Sequence, residues 1–213
     1  MKNSVSKDII EKWLTAWCLS RKLPLPIKYK SGFRVDVGFE KQKSRYVFPE
    51  MNEDFIQLSK EITEPWIYLK FCGLPEEIQN KVADKWKVQP QGFMMHCGTP
   101  MNIPKAELHP AYKFEIENYN STFVIRILTQ NNELASEGRM IIVENIAVYD
   151  RIFTEDQHKR KGLATFLMKQ LEIIALSKKI YTNFLVATSE GKSLYETLGW
   201  ELYSYYTSIV IEK

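Results

Sequence analysis

The most constraining feature of the sequence is the order of predicted elements between residues 112 and 211. Four successive β-prone runs are followed by an amphipathic helix at about residues 161–176, a strand at Asn183–Ala187 and a helix at about residues 189–198. A final pair of β runs reaches Ile211. The four opening runs are Tyr112–Asn118, Phe123–Thr129, Ser136–Val143 and Ile146–Phe153. This order predicts an antiparallel meander that leads into alternating helices and strands, an α/β fold.

Residues 1–110 show a looser alternation of strands and helices. The apolar stripe of Lys7–Ser20 predicts an amphipathic helix, and Asn52 is placed to cap a second helix over residues 52–62. The other predicted elements are strands at Phe33–Val37, Arg45–Phe48, Trp66–Cys72 and Gly92–Cys97 and a helix at Leu74–Trp86. This pattern loosely repeats the order of elements in residues 146–211.

The length leaves the number of domains open, because 213 residues lie between one and two domains of roughly 150 residues. The segment Met101–Pro110 carries two prolines and little periodicity, so we place the main boundary there. The prediction is an N-terminal α/β segment at residues 1–106 and a second segment at residues 107–213.

Composition and charge exclude several classes of protein. Hydrophobic residues make up 45% of the chain and charged residues 26%, values typical of a globular protein and unlike those of disordered or collagen-like chains. The formal net charge is +3, with 17 Lys/Arg against 12 Asp/Glu in residues 1–106 and 12 against 14 in residues 107–213. Neither half has the strongly basic field of a nucleic-acid-binding domain.

The cysteine pattern argues against a disulfide framework. Cys18, Cys72 and Cys97 are odd in number and widely spaced, and neither a secretory signal nor a membrane span is recognisable, so a soluble, cytoplasmic protein is expected. His96 and His109 complete no zinc-ligand spacing with these cysteines, and nothing nearby would activate a cysteine nucleophile. No metal is expected.

The segment Asp150–Thr165 carries the clearest chemical signal. A predicted strand runs into a short loop, then into Lys159-Arg160-Lys161-Gly162-Leu163-Ala164, and then into an amphipathic helix. Backbone N–H groups at the start of a helix, next to a glycine and to cationic side chains, form a site for phosphate. The alternative is an ordinary solvated run of charged residues. We find no comparable turn in residues 1–110.

Two motifs resemble those of the GNAT acetyltransferase superfamily. Residues Lys159–Ala164 are similar to the coenzyme A signature Arg/Gln-x-x-Gly-x-Gly/Ala, with lysine at the first position. Residues Ser193–Trp200 are similar to the terminal helix motif Phe/Leu-Tyr-Glu-x-Leu-Gly-Phe. The resemblance covers residues 112–213 and implies a GNAT fold, in which helices flank a mixed central sheet. The helices that the superfamily usually has between its first strands are not predicted between Tyr112 and Val143.

The resemblance also implies a cofactor site and its residues. The pyrophosphate of acetyl-CoA would be held by Lys159, Arg160, Lys161, Gly162, Leu163, Ala164 and Thr165, and the pantetheine arm and thioester carbonyl by Ile152, Phe153 and Thr154. Thr188 stands where many members have an asparagine that contacts the cofactor. The N–H of Thr154 or of its neighbour would stabilise the oxyanion.

Two catalytic residues follow from the same resemblance. Tyr195 matches the tyrosine that protonates the departing coenzyme A thiolate, and Asp150 matches a carboxylate that accepts a proton from the amine directly or through water. Each has an alternative reading. Tyr195 would otherwise be a buried aromatic residue, and Asp150 would form a structural ion pair with Arg151.

The resulting hypothesis is a GNAT-type N-acetyltransferase that moves an acetyl group from acetyl-CoA to a primary amine in a ternary complex. The amine would belong to a small molecule or a protein, and nucleic-acid and membrane partners are not expected. A monomer or homodimer is expected. Residues 1–106 would be a degenerate GNAT-like half that walls the acceptor cleft. The alternative function is a non-catalytic acyl-CoA-binding or sensing module.

Overall fold

The computed structural model describes residues 5–103 and 107–212, and these form two compact units. The first unit contains the described residues up to Met95, residues 186–193 and the chain from Leu202 onward. The second contains the described residues of 96–185 together with 194–201. The units do not follow the sequence segments 1–106 and 107–213, since the last strand belongs to the first unit. Residue 106, at the predicted boundary, lies outside the described residues.

Four α-helices and twelve strands are present in the described residues. The helices are α1 Lys7–Arg21, α2 Glu53–Glu61, α3 Leu163–Ser177 and α4 Ser189–Thr197. The strands are β1 Ile27–Tyr29, β2 Gly32–Phe39, β3 Gln42–Phe48, β4 Ile67–Cys72, β5 Lys87–Val88, β6 Gly92–Cys97, β7 Tyr112–Tyr119, β8 Thr122–Thr129, β9 Leu134–Val143, β10 Ile146–Thr154, β11 Thr182–Ala187 and β12 Glu201–Val210. None of these helices combines the length and apolar composition needed to cross a membrane.

In the first unit the strands follow the order β1-β2-β3-β4-β12, and β5 also pairs with β12. Strands β3 and β4 are parallel and joined through α2, whereas β4 and β12 are antiparallel. Successive side chains of β4 point to opposite faces of the sheet, as in any strand. Leu69 and Phe71 pack in an aromatic core with Phe55 of α2, while Tyr68 and Lys70 alternate with them along the strand.

In the second unit the strand order is β11-β10-β9-β8-β7. Strands β7 to β10 form an antiparallel meander, and β10 pairs in parallel with β11 after the crossover helix α3. The predicted meander and the mixed α/β sheet flanked by helices are therefore confirmed. Within the described residues, no helix interrupts the chain between β7 and β9, as the sequence predicts.

The two units share one local arrangement. In each, an antiparallel strand pair is followed by a helix and by a strand parallel to the second of the pair: β2-β3-α2-β4 and β9-β10-α3-β11. The helices begin differently. Asn52 caps α2 by accepting a hydrogen bond from the N–H of Phe55, and α3 begins at a glycine.

Two predictions about the elements are wrong. The helix predicted over Leu74–Trp86 is only a short 3₁₀ turn at Pro75–Ile78, because Asn80 adopts a left-handed backbone angle and the chain turns again. The apolar residues behind that prediction, Ile78 and Trp86, still pack on the core of the first unit. The final pair of β runs is one continuous strand, β12.

Candidate functional site

A β-bulge shapes the end of β10. Asp150 lies opposite Arg139 of β9 and Phe153 lies opposite Glu137, so Arg151 and Ile152 together face the single residue between them on β9, Gly138. Arg151 has a φ of 52°, which a residue with a Cβ adopts only at a conformational cost. A bulge bends the strand and redirects its backbone, and it does so here over the residues expected to meet the cofactor.

Gly138 leaves room for this bulge, and we expect Gly138→Ala to destabilise the protein. An added Cβ would lie 2.6 Å from Cδ1 of Ile152 and closer still to the buried side chain of Leu167. Overpacking of this kind costs about 1–3 kcal/mol. Urea unfolding measures the loss. Gly98→Ala is the matched control, because its Cβ would meet no atom within 4 Å, and equal stabilities of the two variants would contradict the packing argument.

Ser136 of β9 orders the last residues of β10. Its hydroxyl, which is buried, donates a hydrogen bond to the carbonyl oxygen of Phe153 at 2.7 Å and lies 3.0 Å from Oγ1 of Thr154. The N–H of Glu155 donates to the carbonyl of Ala135 at 2.9 Å. These contacts fix the orientation of two residues that the resemblance assigns to the pantetheine arm, Phe153 and Thr154.

Two of the three cationic residues in the loop before α3 form contacts within the loop. Lys159 forms an ion pair with Asp156 at 2.9 Å, and Lys161 donates to the carbonyl of Gln157 at 3.0 Å. Arg160 is exposed and has a left-handed φ of 61°. The cationic run is therefore part of a structured turn.

The first turn of α3 is free of side-chain caps. Gly162 is the N-cap residue with a φ of 74°, it makes no side-chain cap, and the first turn contains no acidic residue. A Cβ at Gly162 would meet nothing within 4 Å, so the space beside the helix start is open. The backbone N–H groups of Leu163, Ala164 and Thr165 thus lie at the positive end of a 15-residue helix. Such an arrangement favours an anion.

The start of α2 in the first unit has the opposite character. Its N-terminal turn is capped by Asn52 and carries Glu53 and Asp54. Hydrogen bonds from Ser31 hold the pKa of Asp54 below its usual range, so the carboxylate is negatively charged at neutral pH. A phosphate would meet a filled cap and two negative charges there.

A Schellman motif places Tyr195 near the end of α4. The N–H of Trp200 donates to the carbonyl of Tyr195 at 3.0 Å, and the N–H of Gly199 donates to Glu196 at 3.1 Å. Gly199 has a φ of 88°, which closes the motif and returns Trp200 to within 6.0 Å of the Tyr195 ring. The Leu-Gly-Trp sequence at the end of the terminal helix motif is thereby explained.

The Tyr195 phenol is buried and lies in the field of a carboxylate. Burial, and after it the charge of Asp150, raises the pKa of Tyr195 above its ordinary value. The charge of Asp150 thus acts on the Tyr195 phenol, which is protonated at neutral pH. A protonated phenol can donate a proton and cannot serve as a base.

Thr188 has a structural function in the first unit. Its hydroxyl accepts a hydrogen bond from the N–H of Gly191 at 3.2 Å, and its carbonyl accepts one from Lys192. These bonds begin α4. Contact of Thr188 with a cofactor remains a prediction.

Several residues that shape the second unit were not found from the sequence. Ser136 and Gly138 carry no motif, and only their place opposite the end of β10 reveals what they do. Glu172 of α3 is buried and accepts a hydrogen bond from the N–H of Met101. Asn183 accepts a hydrogen bond from the Tyr149 hydroxyl at 3.1 Å.

The cysteines are buried and form no disulfide. Burial raises the pKa of the Cys18 thiol to about 12 and raises those of Cys72 and Cys97 as well, which opposes a nucleophilic function. Within the part of the chain that the structure describes, no three His, Cys, Asp or Glu residues are grouped as metal ligands.

Comparison with known proteins agrees with this fold. Residues 106–205 match the family profile described as "Acetyltransferase (GNAT) domain". A GCN5-related N-acetyltransferase from Kribbella flavida aligns over 98% of this chain and 96% of its own, with a TM-score of 0.64 and 12% identity. A comparison with curated protein sequences gave no match.

Two further solved structures show the same fold. A functionally unknown conserved protein from Staphylococcus epidermidis aligns over 88% of this chain and 93% of its own, with a TM-score of 0.62 and 8% identity. A tandem GNAT protein from the clavulanic acid biosynthesis pathway covers 73% of this chain and 66% of its own, with a TM-score of 0.56 and 10% identity. Residues 106–205 of the chain thus match a GNAT acetyltransferase domain, and the mixed α/β fold is that of its GNAT structural neighbours.

Proposed function

We propose that the protein transfers the acetyl group of acetyl-CoA to a primary amine by direct attack. The observation that carries this proposal is the open, uncapped start of α3 at Gly162, next to the bulged end of β10 in the chain. The first supplies N–H donors for a pyrophosphate, and the second presents redirected backbone to an extended ligand arm. The match of residues 106–205 to a GNAT domain supports the same assignment.

Each end of the site has its own task. The N–H groups of Leu163–Thr165 bind the pyrophosphate, aided by the charges of Lys159, Arg160 and Lys161. Ile152, Phe153 and Thr154 orient the pantetheine arm, and the N–H of Thr154 or of its neighbour donates to the carbonyl oxygen as negative charge develops on it. Ser136 keeps Phe153 and Thr154 in place by bonding to their oxygen atoms.

Acetyl-CoA supplies the activated acetyl group. The amine nitrogen forms a bond to the acetyl carbon as the carbon–sulfur bond breaks. Asp150 takes a proton from the amine, directly or through water, and Tyr195 gives its proton to the thiolate that leaves. The raised pKa of Tyr195 means that the phenol carries its proton when the thiolate forms, and it also makes the phenol a weaker acid than an ordinary tyrosine.

The N-terminal half is proposed to be a degenerate GNAT-like copy. It repeats the strand, helix and parallel-strand arrangement, but the capped and acidic start of α2 is unsuited to phosphate. A tandem GNAT protein is among the matched structures.

Replacement of Thr165 by aspartate tests the cofactor site. The new carboxylate would occupy the first turn of α3, where it repels the pyrophosphate but interacts favourably with the helix dipole. We expect acetyl-CoA to bind about 10- to 100-fold more weakly, with no loss of thermal stability. Isothermal titration calorimetry and thermal unfolding measure the two quantities.

Two controls separate charge from shape. Thr165→Asn has the shape of the aspartate without its charge, and Gln170→Glu adds the same charge farther along α3; both should bind acetyl-CoA within a few-fold of the wild type. Unchanged binding by Thr165→Asp, or no binding by the wild type, would exclude the proposed cofactor site. Thiol release with a panel of primary amines then tests transfer, and binding without any turnover would favour the non-catalytic acyl-CoA module.

A further inference from the structure

The first unit contains a cavity of about 680 Å³ that the motifs do not account for. It lies against strands β3, β4 and β12, on the face of the sheet that carries their polar side chains. Its charged lining residues are Arg45, Lys70 and Glu190, which together have a net charge of +1 when Lys70 is protonated. A volume of this size suits a small organic molecule.

Lys70 lies in an environment that disfavours the positive charge of its side chain. Its side chain is 9% exposed, and Nζ donates to the neutral hydroxyl of Ser208 at 2.7 Å. Lys70 and Ser208 lie directly opposite each other on β4 and β12. Burial and the charge of Arg45 both lower the pKa of Lys70 well below its usual range. A negative ligand beside Lys70 would stabilise its ammonium form.

Tyr206 adds a second unexplained polar group. Its side chain lines the cavity and is 6% exposed, and among the described residues its buried hydroxyl has no hydrogen-bond partner. Lys70 Nζ lies 5.6 Å from the centroid of the Tyr206 ring. Buried hydroxyls in native proteins nearly always have partners, so this one calls for a bound water or a ligand.

Helix α1 packs against two of the residues that line the cavity. The Arg45 guanidinium stacks over the ring of Trp17 at 3.5 Å, and the Trp13 ring meets the Tyr206 ring edge-on at 5.3 Å. The cationic and phenolic groups are therefore supported by rigid aromatic residues, as a binding site requires.

We propose that this cavity binds an organic monocarboxylate, with Lys70 and Arg45 facing the anion and the Tyr206 hydroxyl donating to it. With Lys70 in its ammonium form, which the ligand stabilises, the net charge of +1 matches one carboxylate, and the donors suit its two oxygen atoms. Glu190, also on the lining, suits a cationic group elsewhere on the same molecule. Binding to the cavity does not depend on acetyl transfer.

If the proposed acetyl transfer also holds, a carboxylate site in this cavity indicates the class of the acceptor. Thr188, which the resemblance assigns to the cofactor, is among the residues that line the cavity. The acceptors would then be amines that also carry a carboxylate.

The test measures binding of paired probes without acetyl-CoA. Propionate, butyrate and γ-aminobutyrate are each titrated against their primary amides, and inorganic phosphate is a separate probe. In the wild type, at least one acid should bind about 10-fold more tightly than its amide. Equal binding of every acid and its amide, no binding of any acid, or tighter binding of phosphate would overturn the assignment.

Variants locate the site. Lys70→Met should weaken acid binding about 10-fold or more, and Tyr206→Phe, which removes only a hydroxyl, about 3- to 10-fold. Lys43→Met is the matched control, since Lys43 lies on β3 but is exposed and paired with Glu64; it should bind like the wild type. Unchanged binding by both Lys70→Met and Tyr206→Phe would place the acid elsewhere and refute the proposal. Acid binding without thiol release from γ-aminobutyrate would leave the cavity assignment standing and count against the transfer.

Discussion

Replacement of Tyr195 by phenylalanine is expected to lower kcat by about 10²- to 10⁴-fold, the usual contribution of a positioned general acid. The change removes only the hydroxyl, while the ring keeps its contact with Trp200. Affinity for acetyl-CoA should stay within a few-fold, because the proposed pyrophosphate contacts come from α3. Steady-state thiol release with a turned-over amine, together with calorimetric binding, measures both quantities.

The pH dependence of the same reaction has a defined direction. Burial and Asp150 raise the pKa of Tyr195, so the phenol keeps its proton at all pH values where the protein is ordinarily studied. We expect kcat to rise with pH as the amine loses its proton and not to fall before about pH 10. A fall of kcat below that pH would show a donor with a lower pKa and would contradict the assignment of Tyr195.

Tyr149→Phe is the control for the loss of a buried phenol in the same unit. The Tyr149 hydroxyl donates to Asn183 at 3.1 Å, and burial raises its pKa as it does that of Tyr195. This variant should lose some stability but keep kcat within a few-fold. If Tyr195→Phe behaves in the same way, Tyr195 is a core aromatic residue and the proposed mechanism is wrong.

The sequence predicts what depends on local pattern. The alternation of apolar and polar residues in each strand of 112–153, and the glycine before α3, are patterns that span only a few residues. The structure confirms the meander and the helix that they predict. Gly199 is informative for the same reason, because a Schellman motif requires a left-handed residue at one position of the chain. These features are visible without knowledge of distant contacts.

What the sequence does not predict depends on partners far along the chain. Gly138 is needed because Leu167 and the bulge of β10 meet above it, and Ser136 acts only through Phe153 and Thr154. Strand β12 pairs with β4, so the last residues belong with the first half of the chain. The helix predicted near Leu74 fails because apolar spacing alone does not reveal the turn at Asn80.

The cavity of the first unit also depends on residues that lie far apart in the sequence. Lys70 stands in an apolar run, Trp66–Cys72, that reads as an ordinary buried strand, and Tyr206 carries no motif. Only the pairing of β4 with β12 brings Lys70 opposite Ser208 and makes its burial visible. A buried lysine whose removal stabilises the protein would indicate a ligand, and stability measurements test this claim.

Lys70→Met is therefore expected to raise the free energy of unfolding at neutral pH by about 1–4 kcal/mol, the range found when buried ion pairs are replaced by apolar residues of similar volume. The gain opposes the loss of the hydrogen bond to Ser208, which contributes about 1 kcal/mol. Urea unfolding without added acids measures the difference. Lys43→Met, at an exposed site, should change stability by less than about 0.5 kcal/mol.

The advantage of Lys70→Met should shrink as the pH rises. The folded-state pKa of Lys70 lies below that of the unfolded chain, so between the two values the unfolded state binds more protons. The wild type then gains stability with increasing pH through this window, up to about pH 10.5, while the variant does not. A stability difference that is constant between pH 7 and about pH 10 would show that Lys70 has an ordinary pKa. A less stable variant at every pH would make Lys70 a structural residue, and the cavity would lose its strongest argument for an acidic ligand.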